Sequence, residues 1–217
     1  MTSKDVGRII RMMPPDAEAA AVLQEWVEQA DALLDASALD LSGADVSGAD
    51  FAMALLTETV LRSARLVGTD LYRAHLEGAV LDGADLSGAC LVKTELDEAS
   101  LRGATLDGVN LGSTSCWAVD ARSARFRGAR LHGAALLDVR LEGADLTDAS
   151  VRETSLKAVL DDDTVVRGLT GTLFGPAVVE GAGVRREIGG PELERWLNGR
   201  GANVRVLSPR SSGVRKP

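Results

Sequence analysis

LDGADLSGACL, residues 81–91, places its leucines five residues apart. Neither regular element can use that spacing. An α-helix turns about 100° per residue, so a five-residue step carries each leucine to a different side of the cylinder. A strand alternates faces with period two, so an odd step sends successive leucines to opposite sides. The spacing works only where the chain changes direction within each pentad and returns every leucine to a common axis.

The register is unbroken over a long span. From Leu41 to Leu156 every fifth residue is Leu, Val or Phe, with Cys116 and Ala121 the exceptions, which makes 24 pentads. Two residues before each central position stands a small or β-branched residue, as in Ala44, Ala84, Thr94, Ala104 and Val139; only Leu39 is larger. Two residues after it Gly recurs, as in Gly43, Gly83, Gly103 and Gly143, where it frees the backbone for a turn. Each pentad therefore offers one wide and one narrow inward position and three outward ones.

The segments GADLSGACL and GADLTDASV resemble the pentapeptide-repeat motif, Ala-(Asp/Asn)-Leu-X-X, and the resemblance covers 120 of 217 residues. It implies an all-β solenoid, a right-handed quadrilateral β-helix with four pentads per coil and about six coils. At a strand spacing of about 4.8 Å the rod is roughly 29 Å long. No coil can bury its own faces, so the stack depends on neighbours and needs caps at its ends.

The flanks supply those caps. Residues 1–36 form a helical cap: Asp16 follows Pro14 and Pro15, and Ala19, Val22, Leu23, Trp26, Val27, Ala30, Leu33 and Leu34 make one apolar helical face to cover the first coil. Residues 37–160 are the β-helix, its register failing at Asp161 in the run Asp161–Asp163. Residues 161–207 are a small α/β cap holding the short helix PELERWLNG and the strand-like NVRVL. Residues 208–217, SPRSSGVRKP, read as a loose basic tail.

Composition narrows the function. Aromatics are 3% of the chain, which suits a core of small repeated units, and the net charge of −8 argues against direct nucleic-acid binding. Two cysteines make no disulfide framework and have no metal-ligand spacing. The opening residues lack the apolar core of a signal peptide, and no segment reaches transmembrane length, so a cytoplasmic protein without membrane contact is expected.

No enzyme motif is present. His75 and His132 flank central positions and face outward as surface residues. Cys116 fills the core, and Cys90 sits at an outward position; both read as structural thiols. The glycines of GAGVRREIGG and GRGANV lack the phosphate-loop pattern and read as turns, and Asp161–Asp163 read as a solvated turn in preference to a cation site. No cofactor is implied.

Charge becomes informative when sorted by wall, because residues 20 apart stack on adjacent coils. The wall centred on Leu56, Leu76 and Leu96 carries Glu58, Glu77, Glu95, Asp97, Glu98 and Asp138 against Lys157 alone, a net −5. The other three walls are 0, −2 and +1; the acidic wall serves simple solubilisation or presents anionic side chains to a basic groove. Arg62, Asp82 and Arg102 are expected to alternate as a charge ladder on successive coils. Trp117 and Leu137 stack outward beside the acids, suited to intramolecular cover or to an intermolecular contact, and Tyr72 with Val92 forms a similar pair on the next wall.

The family resemblance extends to function. The Qnr group and its mycobacterial relative resemble DNA and bind type II topoisomerases, which implies a DNA mimic engaging gyrase or topoisomerase IV, with a role in antibiotic resistance. Relatives of this kind dimerise through C-terminal elements, so Leu193, Trp196 and Leu197 become the expected homodimer contact. The uninterrupted register places this chain nearer the mycobacterial type. B-DNA carries a charge per about 1.7 Å, so a rod of this length needs about 17 negative charges to match it. The repeats have 18 acids against 12 bases, so only one wall approaches that density. The alternative is a rigid protein-interaction scaffold without mimicry.

Overall fold

The computed structural model describes residues 9–29 and 32–207. Each pentad makes the bend its glycines suggest. The N–H of the residue two before one centre donates to the carbonyl of the preceding central residue, as Ala44 does to Leu41 at 3.1 Å and Ala84 to Leu81 at 3.0 Å. From Gly43 to Glu153, the residue two after each centre takes a left-handed backbone. Gly83 does so at φ +67°, but Met53, Glu58, Lys93 and Glu98 do so as well at φ between 60° and 63° or just below. The repeat prefers Gly there without requiring it.

The pentads wind into a parallel β-solenoid with four walls. One ladder climbs through Asp35, Leu55, His75, Glu95 and Ser115, then through Ala135, Ser155 and Phe174; three others start at Asp40, Asp45 and Asp50. Coils therefore extend beyond both ends of the 41–156 run that sets the expected six. Where neighbouring rungs lengthen they become strands: β1 (Ser115–Trp117), β2 (Ala135–Arg140), β3 (Ser150–Asp161) and β4 (Thr170–Phe174).

All 24 central residues are buried, and so is every residue two before them except Leu39, which is partly buried. Each buried aliphatic side chain is worth about 2 kcal/mol. The narrow column is not wholly apolar. Thr59, Thr69, Thr94, Thr114, Thr154 and Thr164 donate their hydroxyls to carbonyls one coil below, each 23 residues earlier in the chain. Their polar atoms are thus satisfied inside the rod, which removes the cost of burying them. Where Cys116 and Ala121 replace leucine, the core keeps an apolar cavity of about 20 Å³ lined by these residues with Leu96, Phe126 and Leu141 among others.

The N-terminal cap is α1 (Ala17–Glu28). Asp16 caps it by accepting the Ala19 N–H at 2.8 Å, and Ala19, Leu23 and Trp26 are buried against the first coil. Trp26 meets the ring of Phe51 edge-on, 5.1 Å between centroids. The expected apolar face is too long. The helix ends at Glu28, so Leu34 turns inward from an extended segment while Leu33 is 60% exposed; Ala30 lies outside the described residues. Before the helix, Met12 bridges Asp45 in antiparallel fashion.

The expected boundary at residue 160 is also corrected. Beyond Leu137↔Lys157 the register slips by one residue, pairing Val139 with Ala158. Leu160 then fills the core, and Asp161 stays at the edge, accepting from the Gly143 N–H and the Thr164 hydroxyl. The five-residue register resumes at Val166, two residues after Thr164 takes its place in the narrow column. The run of aspartates is a stumble in the repeat, not its end. Asp162 pairs with Arg200 at 2.8 Å.

Past β4, the chain adds the antiparallel hairpin β5 (Ala177–Gly181) and β6 (Val184–Ile188), then α2 (Gly190–Asn198) and β7 (Asn203–Leu207). β5 extends the ladder of β3, and β7 that of β4. The Asn198 side chain locks α2 to β7 by bonding both the N–H and the carbonyl of Val204. This overturns one expectation. Leu193 and Leu197 are buried in the core of their own chain, and Trp196 is half-buried beneath the Arg200 guanidinium, 3.9 Å away. Leu193 and Leu197 thus close the solenoid of their own chain. The tail at 208–217 lies outside the described residues.

Candidate functional site

The residues flanking each centre set the surface. An Asp before the centre accepts the N–H two residues on, as Asp40, Asp70 and Asp85 do for Ser42, Tyr72 and Ser87. That is the physical reason for an acidic residue beside the leucine: it finishes the turn. A second rule crosses coils. The residue after one centre meets the residue before the centre 18 positions later, as in Asp82 with Ser100, Asp97 with Ser115 and Arg102 with Asp120. The expected ladder of Arg62, Asp82 and Arg102 therefore does not form. Asp82 binds the Ser100 hydroxyl and the Arg102 backbone N–H, while the Arg102 guanidinium reaches Asp120. With Arg122 bonded to it first and Arg102 second, the Asp120 carboxyl is held far below the usual carboxylate range.

The same rules place the six acids of the −5 wall in different states. Glu58 and Glu98 are exposed and make no ion pair among the described residues. Asp97 is half-buried and spent on the wall, its Oδ1 accepting from the Ser115 hydroxyl at 2.7 Å and the Trp117 N–H at 2.8 Å. Asp138 pairs with Lys157 at 2.8 Å. Glu77 and Glu95 flank His75 at 3.2 and 3.3 Å. The imidazole is pushed above its ordinary range, first by its hydrogen bond to Glu77; Glu95 is also pushed up, first by its hydrogen bond to Glu77.

Trp117 and Leu137 are paired neighbours in β1 and β2, exposed by 46% and 38%. No described residue covers them. Lys157 follows Leu137 on the next coil, so the wall passes from acidic through apolar to a paired lysine along its length. Tyr72, on the adjoining wall, is half-buried, with Arg73 and Lys93 lying 5.4 and 5.9 Å from its ring. Its face is already occupied by cations.

His75 is the residue sequence reasoning passed over. Its link to Glu95 follows the 20-residue ladder, and Glu77 reaches Glu95 along the 18-residue diagonal. Both spacings are legible once the coil is known. Elsewhere, His132 reaches the Ser150 hydroxyl at 3.2 Å and is held below its ordinary range, first by burial and then by Arg152 and Arg130. Burial pushes the Cys116 thiol up to about 12, and Cys90 is half-buried; neither is paired in a disulfide.

The model of a family described as pentapeptide repeats matches in eight copies, over residues 40–78, 79–115 and 122–159. No curated protein matches the chain. Among solved structures, HetL, a pentapeptide repeat protein involved in heterocyst differentiation regulation from the cyanobacterium Nostoc sp. strain PCC 7120, is 28% identical; the match covers 69% of this chain and 77% of HetL, with a TM-score of 0.42. Full-length QnrB1, a plasmid-mediated fluoroquinolone resistance protein, is 14% identical over 78% of this chain and 80% of its own, with a TM-score of 0.39. No helix among the described residues is long and apolar enough to cross a membrane.

Proposed function

This chain belongs to the pentapeptide-repeat family, and we propose that it acts without catalysis, presenting its acidic wall to the basic groove of a protein partner. The observation that carries the reading is the segregation of charge: Glu58, Glu77, Glu95, Asp97 and Glu98 crowd neighbouring coils of one flat wall, with His75 the only basic-capable side chain among them. A wall sorted in this way steers a cationic partner. The sequence resemblance to the Qnr group makes a type II topoisomerase, gyrase or topoisomerase IV, the partner class, with the wall standing in for one side of a DNA duplex. A cytoplasmic location follows from that partner.

The test is gyrase supercoiling with and without a quinolone, at micromolar protein. Inhibition or protection that weakens with salt is expected. The double reversal Glu58→Lys with Glu98→Lys, at two exposed carboxylates without structural bonds, removes it; Asp97 is unsuitable because it holds Trp117 in place. No inhibition, protection or binding rejects the topoisomerase reading.

A second reading has its own observation, the exposed pair Trp117 and Leu137. A scaffold docking a protein through that patch tolerates the charge reversals and fails on Trp117→Ser with Leu137→Ser.

A further inference from the structure

His75, Glu77 and Glu95 bring one nitrogen and two carboxylates together on adjacent coils. Nδ1 of His75 lies 3.2 Å from Glu77 Oε1 and 3.3 Å from Glu95 Oε2, and the ligand atoms of the three side chains all fall within 4.8 Å of one another. We propose that these three side chains form a binding site for a first-row divalent transition cation, with zinc the best-matched ion.

The geometry is the first argument. Zinc bonds to imidazole nitrogen and carboxylate oxygen of about 2.0–2.2 Å set the ligand atoms of a tetrahedral site about 3.3 Å apart. Both edges from the imidazole already have that length. The donor set is the second. One imidazole with two carboxylates suits zinc or manganese, and its exposure leaves further positions open to water.

The third argument is electrostatic and independent of distance. Along the other 18-residue diagonals that carry a charge contact, a carboxylate meets a cation or hydroxyl: Asp82 with Ser100, Asp97 with Ser115, Asp107 with Arg125, Arg127 with Asp145. Glu77 with Glu95 is the one such diagonal in the repeats that joins two acids. Like charges facing across a ladder destabilise it. Neither glutamate has a Lys or Arg partner among the described residues, and the group set between them is a metal-ligating ring. Thr57 Oγ1 also approaches Glu77 Oε2 at 3.5 Å, steadying a ligand from behind. The ladder sets the backbone positions of all three residues, with no loop to order.

The experiment is calorimetric titration of the full chain, stripped with chelator and dialysed, with zinc chloride at neutral pH, alongside 15N spectra of the histidine rings. One zinc per chain is expected, with the His75 ring signals shifted and those of His132 unmoved. Glu95→Gln and His75→Gln each weaken binding by about tenfold or more, while His132→Gln leaves it unchanged. Circular dichroism confirms that each variant keeps its fold; the isosteric Glu95→Gln change leaves the backbone bonds intact. Absence of saturable one-to-one binding up to about millimolar zinc, or variant affinities within about twofold of the parent, overturns the site. Gyrase enters none of these readouts, so this result and the functional reading stand or fall separately.

Discussion

Removing the Thr94 hydroxyl isolates the hydrogen bonding hidden inside the rod. The side chain is fully buried, and its Oγ1 donates to the Leu71 carbonyl at 2.7 Å. That carbonyl also accepts the Ala74 N–H at 3.0 Å, so Thr94→Val deletes one bond without orphaning the acceptor. The expected loss is that of a net hydrogen bond, about 1 kcal/mol, and not the larger desolvation penalty of a stranded polar group. Thr94→Ala removes the same bond and a buried methyl as well, for a total of about 2 kcal/mol. Thr94→Ser keeps the donor and loses only the methyl, about 0.8 kcal/mol. Urea unfolding followed by circular dichroism measures the series, with the slopes compared to confirm that each variant unfolds as one unit. The order expected is Thr most stable, then Ser and Val close together, then Ala. A Val variant as stable as the parent, or more so, would show that the hydroxyl contributes nothing, refuting the account of the threonine columns.

Three further outcomes follow from other parts of the molecule. The Asp120 carboxyl is held low by Arg122 and then Arg102, so its contribution is present above the unfolded carboxylate range and is lost as pH falls toward the folded value; Asp120→Asn should flatten the pH dependence of stability below about pH 4 and leave the slope near neutrality unchanged. Cys116, buried with its thiol pushed up to about 12, should resist a thiol reagent in the native protein while half-buried Cys90 is modified; labelling of both at one rate would contradict the core placement. Leu193→Ala should cost about 2–4 kcal/mol independently of protein concentration, because the side chain packs within its own chain; a loss that grows on dilution would restore it to a dimer contact.

The fold was legible because its signal is local and repeated. Five-residue spacing excludes both regular elements, and each pentad restates the same inward leucine and the same turn. Asp16, Leu23 and Trp26 announced the first cap in the same way, through a helix start and an apolar stripe. The hairpin of β5 and β6 went unread although Ala182 and Gly183 both take left-handed backbone at its turn, because its short strands are half exposed and alternate weakly. The register's recovery at Val166 was hidden for a similar reason: a one-residue slip brings Leu160 inward, and nothing in the aspartate run itself signals that the ladder continues.

The sequence by itself determined which residues face the axis, which wall each outward residue occupies, and hence that one wall is acidic. These depend on counting in fives and twenties. Only the tertiary structure decided what those surface groups do, because side chains on this rod meet their partners on the next coil. The 18-residue diagonal brings Asp97 to the Ser115 hydroxyl and Glu77 against Glu95, the 20-residue step commits Asp97 to the Trp117 N–H, and Asp138 meets Lys157 on the coil above. It also fell to the packed structure to turn Leu193 and Leu197 inward, since an amphipathic helix shows that it needs cover but not whether its own chain or another supplies it.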